Sequence, residues 1–104
     1  MFGHESPLRS RDGVLRRITY GLASAVCGLS DRVELPCLDA RYDLGCATDY
    51  VRAAWLMLQQ AQPDDYVVAT GMLRSARELT EIVAEEMGLS LSWRREGVSS
   101  DTKI

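Results

Sequence analysis

Leu38-Asp39-Ala40-Arg41-Tyr42-Asp43-Leu44-Gly45-Cys46-Ala47-Thr48-Asp49-Tyr50-Val51 leads into Ala54-Trp55-Leu56-Met57-Leu58-Gln59-Gln60, and Pro63-Asp64-Asp65-Tyr66-Val67-Val68-Ala69-Thr70-Gly71 follows. A loop carries Asp39 to Cys46. A helix is expected to start near Thr48–Asp49, with Val51, Ala54, Trp55 and Leu58 on one apolar face and Met57 beside it. Pro63 ends that region. Tyr66–Ala69 is a continuous apolar run of strand length and reads as a buried strand.

Working outward, residues 1–11 are polar and irregular. Asp12 is a fair N-cap for a helix ending between Ser24 and Gly28. Val14, Leu15, Ile18, Leu22, Ala25, Val26 and Leu29 recur at helical spacing and form its expected buried stripe. Gly21 weakens that helix slightly, and Gly28 suits its C-terminus. Arg32-Val33-Glu34-Leu35 alternates and reads as a short strand ending at Pro36.

Downstream, Ser75-Ala76-Arg77-Glu78 is a capping box, in which serine and glutamate each bond the other's backbone N–H. The helix it opens is expected to bury Ala76, Leu79, Ile82, Val83 and Met87, and Gly88 stops it. Leu89, Leu91 and Trp93 alternate as one more strand. Both tryptophans, Trp55 and Trp93, read as core. The pattern predicts an α+β fold, with three helices packed on a small, partly parallel sheet of short strands. One domain is expected over residues 1–93, followed by a mobile tail over 94–104.

At 104 residues, 46% hydrophobic and 26% charged, the chain reads as one small globular domain. No stretch of about 18 apolar residues suggests a membrane span. Met1-Phe2-Gly3-His4-Glu5 lacks an apolar signal core, so a cytoplasmic location is expected. The net charge of −3 weighs against nucleic acid as a partner. Arg9, Arg11, Arg16 and Arg17 cluster nonetheless, either as an anion-binding patch or as a solvated helix start. Cys27, Cys37 and Cys46 show no CxxC spacing and read as reduced thiols. With His4 as the single histidine, neither a zinc cluster nor a Ser-His-Asp triad is readily built, and no metal is expected.

His4-Glu5-Ser6-Pro7, Arg16-Arg17-Ile18-Thr19 and the Leu38–Gly71 stretch together resemble the substrate-binding half of the GDP-mannose 4,6-dehydratase family, extended short-chain dehydrogenase/reductases. The resemblance runs from about residue 2 to Trp93. It implies a substrate domain that, in the family, packs on a dinucleotide-binding domain. This sequence holds no GxGxxG turn and no Tyr-x-x-x-Lys pair, so no nicotinamide cofactor is expected here.

The ligand half departs from the family pattern. Leu8-Arg9-Ser10 keeps one arginine where the family has two followed by a glycine. Gly13 and Leu15 stand where the family has a bulky aromatic and a hydroxyl residue. Tyr42-Asp43-Leu44-Gly45-Cys46 stands where the family reads Arg-Asp-Trp-Gly-His. Exchanging guanidinium for phenol removes a permanent bidentate donor, and each charge-assisted hydrogen bond so removed is worth about 1.5–3 kcal/mol.

On that resemblance the substrate-binding candidates are His4, Glu5, Arg9, Arg16, Arg17 and Leu44. Tyr42, Asp43, Cys46 and Asp49 are the catalytic candidates, because a carboxylate in an apolar pocket can serve as acid or base and a phenol can donate to an oxyanion. Each has a simpler role available. Asp43 can anchor its loop through backbone N–H groups. Asp49 can complement the helix dipole. Cys46 can be a small buried filler.

The expected function is binding of a small hydrophobic organic ligand, with cofactor-free lyase, isomerase or cyclase chemistry open to it. The alternatives are a non-catalytic partner that completes the site of a separate Rossmann-domain chain, and residual GDP-sugar binding. A family half freed of its neighbouring domain exposes an apolar face, which predicts a homo-oligomer, in its simplest form a two-fold dimer.

Overall fold

Thirteen residues from Val14 to Val26 hold an unbroken helical phase, and they form the first helix of a computed structural model that describes residues 1–96 and 99–103. In chain order the elements are β1 (Gly3–Glu5), α1 (Val14–Val26), β2 (Arg32–Leu35), β3 (Arg41–Tyr42), β4 (Leu44–Cys46), α2 (Ala47–Leu58), β5 (Arg74–Ser75), α3 (Ala76–Glu86), β6 (Ser92–Glu96) and β7 (Ser99–Lys103). The fold is α+β, as the pattern predicts. The chain divides into two compact units, one of Met1–Arg9 and Tyr42–Leu73, the other of Ser10–Arg41 and Arg74–Ile104.

In the second unit α1 packs on α3 and on β2. Ile18 and Leu22 are fully buried, with Val33, Leu35, Leu38 and Ala84 around them. The buried stripe is narrower than the spacing predicts: Val26 is 58% exposed and Leu29 79%. Both lie where α1 ends, and Gly28 takes the left-handed φ of +73° that turns the chain away. The N-cap is Gly13, not Asp12, and makes no side-chain cap bond. Asp12 instead accepts from the Ser10 hydroxyl. Gly21 has a packing reason: a Cβ there would lie 2.7 Å from Val33 Cγ2, so its absence lets α1 approach β2 closely.

Helix α3 meets the core through Ala76, Thr80 and Ala84, with Leu79 and Val83 flanking; Ile82 and Met87 are exposed. The contact face is thus centred on small residues, because side chains one helical turn apart can let two helices approach. Thr80 is fully buried and satisfied, its hydroxyl donating to the Ala76 carbonyl at 2.7 Å. Trp93 is half-buried, with the Arg77 guanidinium 4.5 Å from its ring centroid. The capping box forms as predicted: Glu78 N–H donates to Ser75 Oγ at 3.1 Å and Ser75 N–H donates to Glu78 Oε2 at 2.6 Å. The Ser75 backbone N–H, with the Ser75 side chain second, holds the Glu78 carboxyl below its ordinary pKa. Ser75→Ala is expected to cost about 1 kcal/mol, read as a lowered urea midpoint with unchanged slope. An unchanged midpoint would remove the cap from the stability of α3.

The sheet of this unit differs from the expectation. β7 pairs antiparallel with β2 (Arg32↔Lys103 to Leu35↔Ser100) and with β6 (Ser92↔Lys103 to Glu96↔Ser99). Residues 94–96 and 99–103 therefore have strand backbone where the pattern predicts a mobile tail; residues 97, 98 and 104 lie outside the described residues. Ser99-Ser100-Asp101-Thr102-Lys103 has no apolar alternation, so its pairing rests on main-chain hydrogen bonds that periodicity does not register. Leu89 and Leu91 pack against the core from outside any strand.

In the first unit β1 and β4 form a parallel pair, with Gly3↔Leu44, His4↔Gly45 and Glu5↔Cys46 in register. Two expectations for this unit fail. The face of α2 expected to be buried is open: Trp55 is 59% exposed and Leu58 83%, with Val51 also exposed. The inner face holds Tyr50, Ala53 and Met57. Tyr66–Ala69 is not a buried strand; Val67 is 84% exposed. Among the described residues nothing covers either stretch, so apolar character alone does not bury them. No helix among the described residues is long and apolar enough to cross a membrane.

Candidate functional site

The parallel pair β1–β4 sorts the predicted residues onto two faces, because successive strand side chains point to opposite sides. Glu5 lies opposite Cys46 on one face, with Leu44 two residues before Cys46 on that same face. Leu44 Cδ2 would be 2.7 Å from a Cβ at Gly3, so only glycine leaves room for it. The Glu5 carboxylate is 3.8 Å from Arg9 Nε, an i,i+4 ion pair between a largely buried Glu5 and an exposed Arg9. It holds Arg9 close to Glu5.

His4 lies on the opposite face, beside Gly45. The Tyr50 ring, from the first turns of α2, folds over Gly45; a Cβ there would sit 2.5 Å from Tyr50 Cε2 and 3.0 Å from Thr70 Cγ2. Tyr50 also stacks on His4, with centroids 5.0 Å apart. His4 Nδ1 is 3.1 Å from the Phe2 carbonyl oxygen, so Nδ1 carries the proton and donates. His4 and Glu5, adjacent in sequence, are thus separated by the strand.

Asp43 is buried and acts as a clasp. Its Oδ1 accepts from the Thr70 backbone N–H at 2.9 Å and the Thr70 hydroxyl at 2.8 Å, and its Oδ2 accepts from Gly71 N–H at 2.9 Å. Gly71 has a φ of +77°, which brings its amide onto the carboxylate. The Thr70 backbone bond, above all, lowers the Asp43 pKa against the opposing effect of burial. A carboxylate so engaged is a weak base, and the geometry makes Asp43 the loop anchor.

The remaining candidates are more open. Cys46 is the N-cap residue of α2 and exposed, not a buried filler; Cys27 and Cys37 are exposed and free as well. Asp49 lies in the first turn of α2, exposed, where it complements the helix dipole. Tyr42 and Leu44 are half-buried. Arg16 and Arg17 belong to α1 in the other unit, and among the described residues neither forms an ion pair. Arg11 lies 4.3 Å over the Tyr20 ring. The first unit thus brings together His4, Glu5, Arg9, Tyr42, Asp43, Leu44, Cys46 and Asp49, and leaves out Arg16 and Arg17.

Tyr50 is the residue that the spacing misses. It is 4% exposed, and its hydroxyl is buried with no hydrogen-bond partner among the described residues. Burial first, and the negative Asp43 second, raise its pKa, so the phenol stays neutral. The signal that could have found it is Gly45, whose missing side chain makes room for a ring one turn into the helix.

The described residues do not fit a dinucleotide. Among them the glycines with positive φ are Gly28 and Gly88, which follow helices, and Gly71 in a loop; none opens a helix after a strand, where a pyrophosphate would sit. No group of three metal-ligating side chains occurs among the described residues.

The family model described as GDP-mannose 4,6 dehydratase matches residues 1–104. A GDP-mannose 4,6-dehydratase of Vibrio cholerae is 46% identical over 98 residues, 94% of this chain and 26% of that protein. One from Yersinia enterocolitica is 42% identical over 104 residues, all of this chain and 28% of its own. A GDP-mannose 4,6 dehydratase of Dictyostelium discoideum is 44% identical over 96 residues, 92% of this chain and 27% of that one. The chain spans about a quarter of the length of these relatives. A match along the whole chain, through the His4–Pro7 turn, the Asp43 loop and the capped α3, makes this chain a member of the GDP-mannose 4,6-dehydratase family.

Proposed function

We propose that this chain is a sugar-nucleotide recognition module of the dehydratase type, which binds ligand without carrying out a redox step by itself. The observation that supports this reading is identity of 42–46% along nearly the whole chain to proteins named for GDP-mannose. Arg9, beside Glu5, is the guanidinium that a diphosphate would meet on the β1–β4 unit. The engaged Asp43 removes the obvious general base, so binding is better supported than chemistry.

A second reading is favoured by the apolar occupants of the loop. Tyr42, Leu44 and Cys46 stand where charge would serve a diphosphate, and Leu8 beside Arg9 is 94% exposed. On that reading the ligand is less charged and more hydrophobic. Any cofactor-free lyase, isomerase or cyclase step would then fall to Glu5 and Cys46, which face the same side of the pair.

Calorimetric titration separates the two. GDP-mannose is expected to bind at low salt with a Kd of roughly 0.1–1 mM, given one retained arginine. Arg9→Ala should weaken binding at least about tenfold. Absence of any heat with several millimolar GDP-mannose would defeat the first reading and leave the second.

A further inference from the structure

We draw no further inference here: the strongest candidate, the exposed apolar face of α2 formed by Val51, Trp55 and Leu58 in the first unit, carries none, because nothing in the structure shows what covers it.

Discussion

Leu22→Ala is expected to lower the unfolding free energy by about 2–5 kcal/mol, the range for emptying a fully buried leucine site. Against a total of about 5–15 kcal/mol for a domain of this size, that is a large fraction. Leu22 has no exposed surface and lies among Ile18, Val33, Leu35, Leu38 and Ala84. The missing side chain leaves a cavity between α1 and β2. Gly21 already brings those two elements to close approach, so the surrounding atoms have little freedom to collapse into the space. Val26→Ala is the control. Val26 belongs to the same helical stripe by spacing, yet it is 58% exposed, and its truncation is expected to cost about 0.5 kcal/mol or less. Urea unfolding followed by far-UV circular dichroism reads both. Equal losses at the two positions would show that α1 is packed in a different phase.

Asp43→Ala is expected to be the most damaging change in the first unit. It leaves the backbone N–H groups of Thr70 and Gly71 without their acceptor and takes from the Thr70 hydroxyl its bond to the carboxylate, leaving its contacts with Met72. The melting temperature should fall by about 5–10 °C, and amide exchange at Thr70 and Gly71 should quicken at least about tenfold. Loss of protection confined to those amides would show that the clasp holds only its loop. Unchanged protection would remove the clasp altogether.

The same carboxylate predicts a pH dependence. The folded state holds the Asp43 pKa below its ordinary value, chiefly through the Thr70 backbone N–H. Its contribution is therefore complete above the unfolded-state pKa and is lost as pH falls through the folded one. Glu78 is shifted in the same direction by Ser75 and adds to the acid sensitivity. Asp43→Asn should flatten the fall of stability below about pH 4.5 without abolishing it. A variant with the wild-type acid slope would show that the Asp43 charge is not what the loop depends on.

Much of the fold is legible one residue at a time. The capping box at Ser75–Glu78 is a local pattern closed within four residues, so its chemistry does not depend on the rest of the fold. Ile18 and Leu22 lie mid-helix on an unambiguous apolar stripe, and both are buried. For Asp43 the sequence leaves anchor and base both open. Only the positions of Thr70 and Gly71, 27 and 28 residues away, resolve it as an anchor. Tyr50 escapes the periodicity because its burial depends on a glycine in a different element.

The amino-acid sequence by itself determined the three helices, their approximate limits, the α+β class and the family, because helix phase, caps and motif residues are local or linear properties. Tertiary structure alone decided which apolar residues are buried. Val51, Trp55, Leu58 and Val67 are apolar like Ile18 and Leu22, yet they remain open, because burial requires a second surface to pack against and periodicity reports only that a face exists. It also decided that His4 and Glu5 part company across a strand, and that the polar Ser99–Lys103 segment joins a sheet through its main chain.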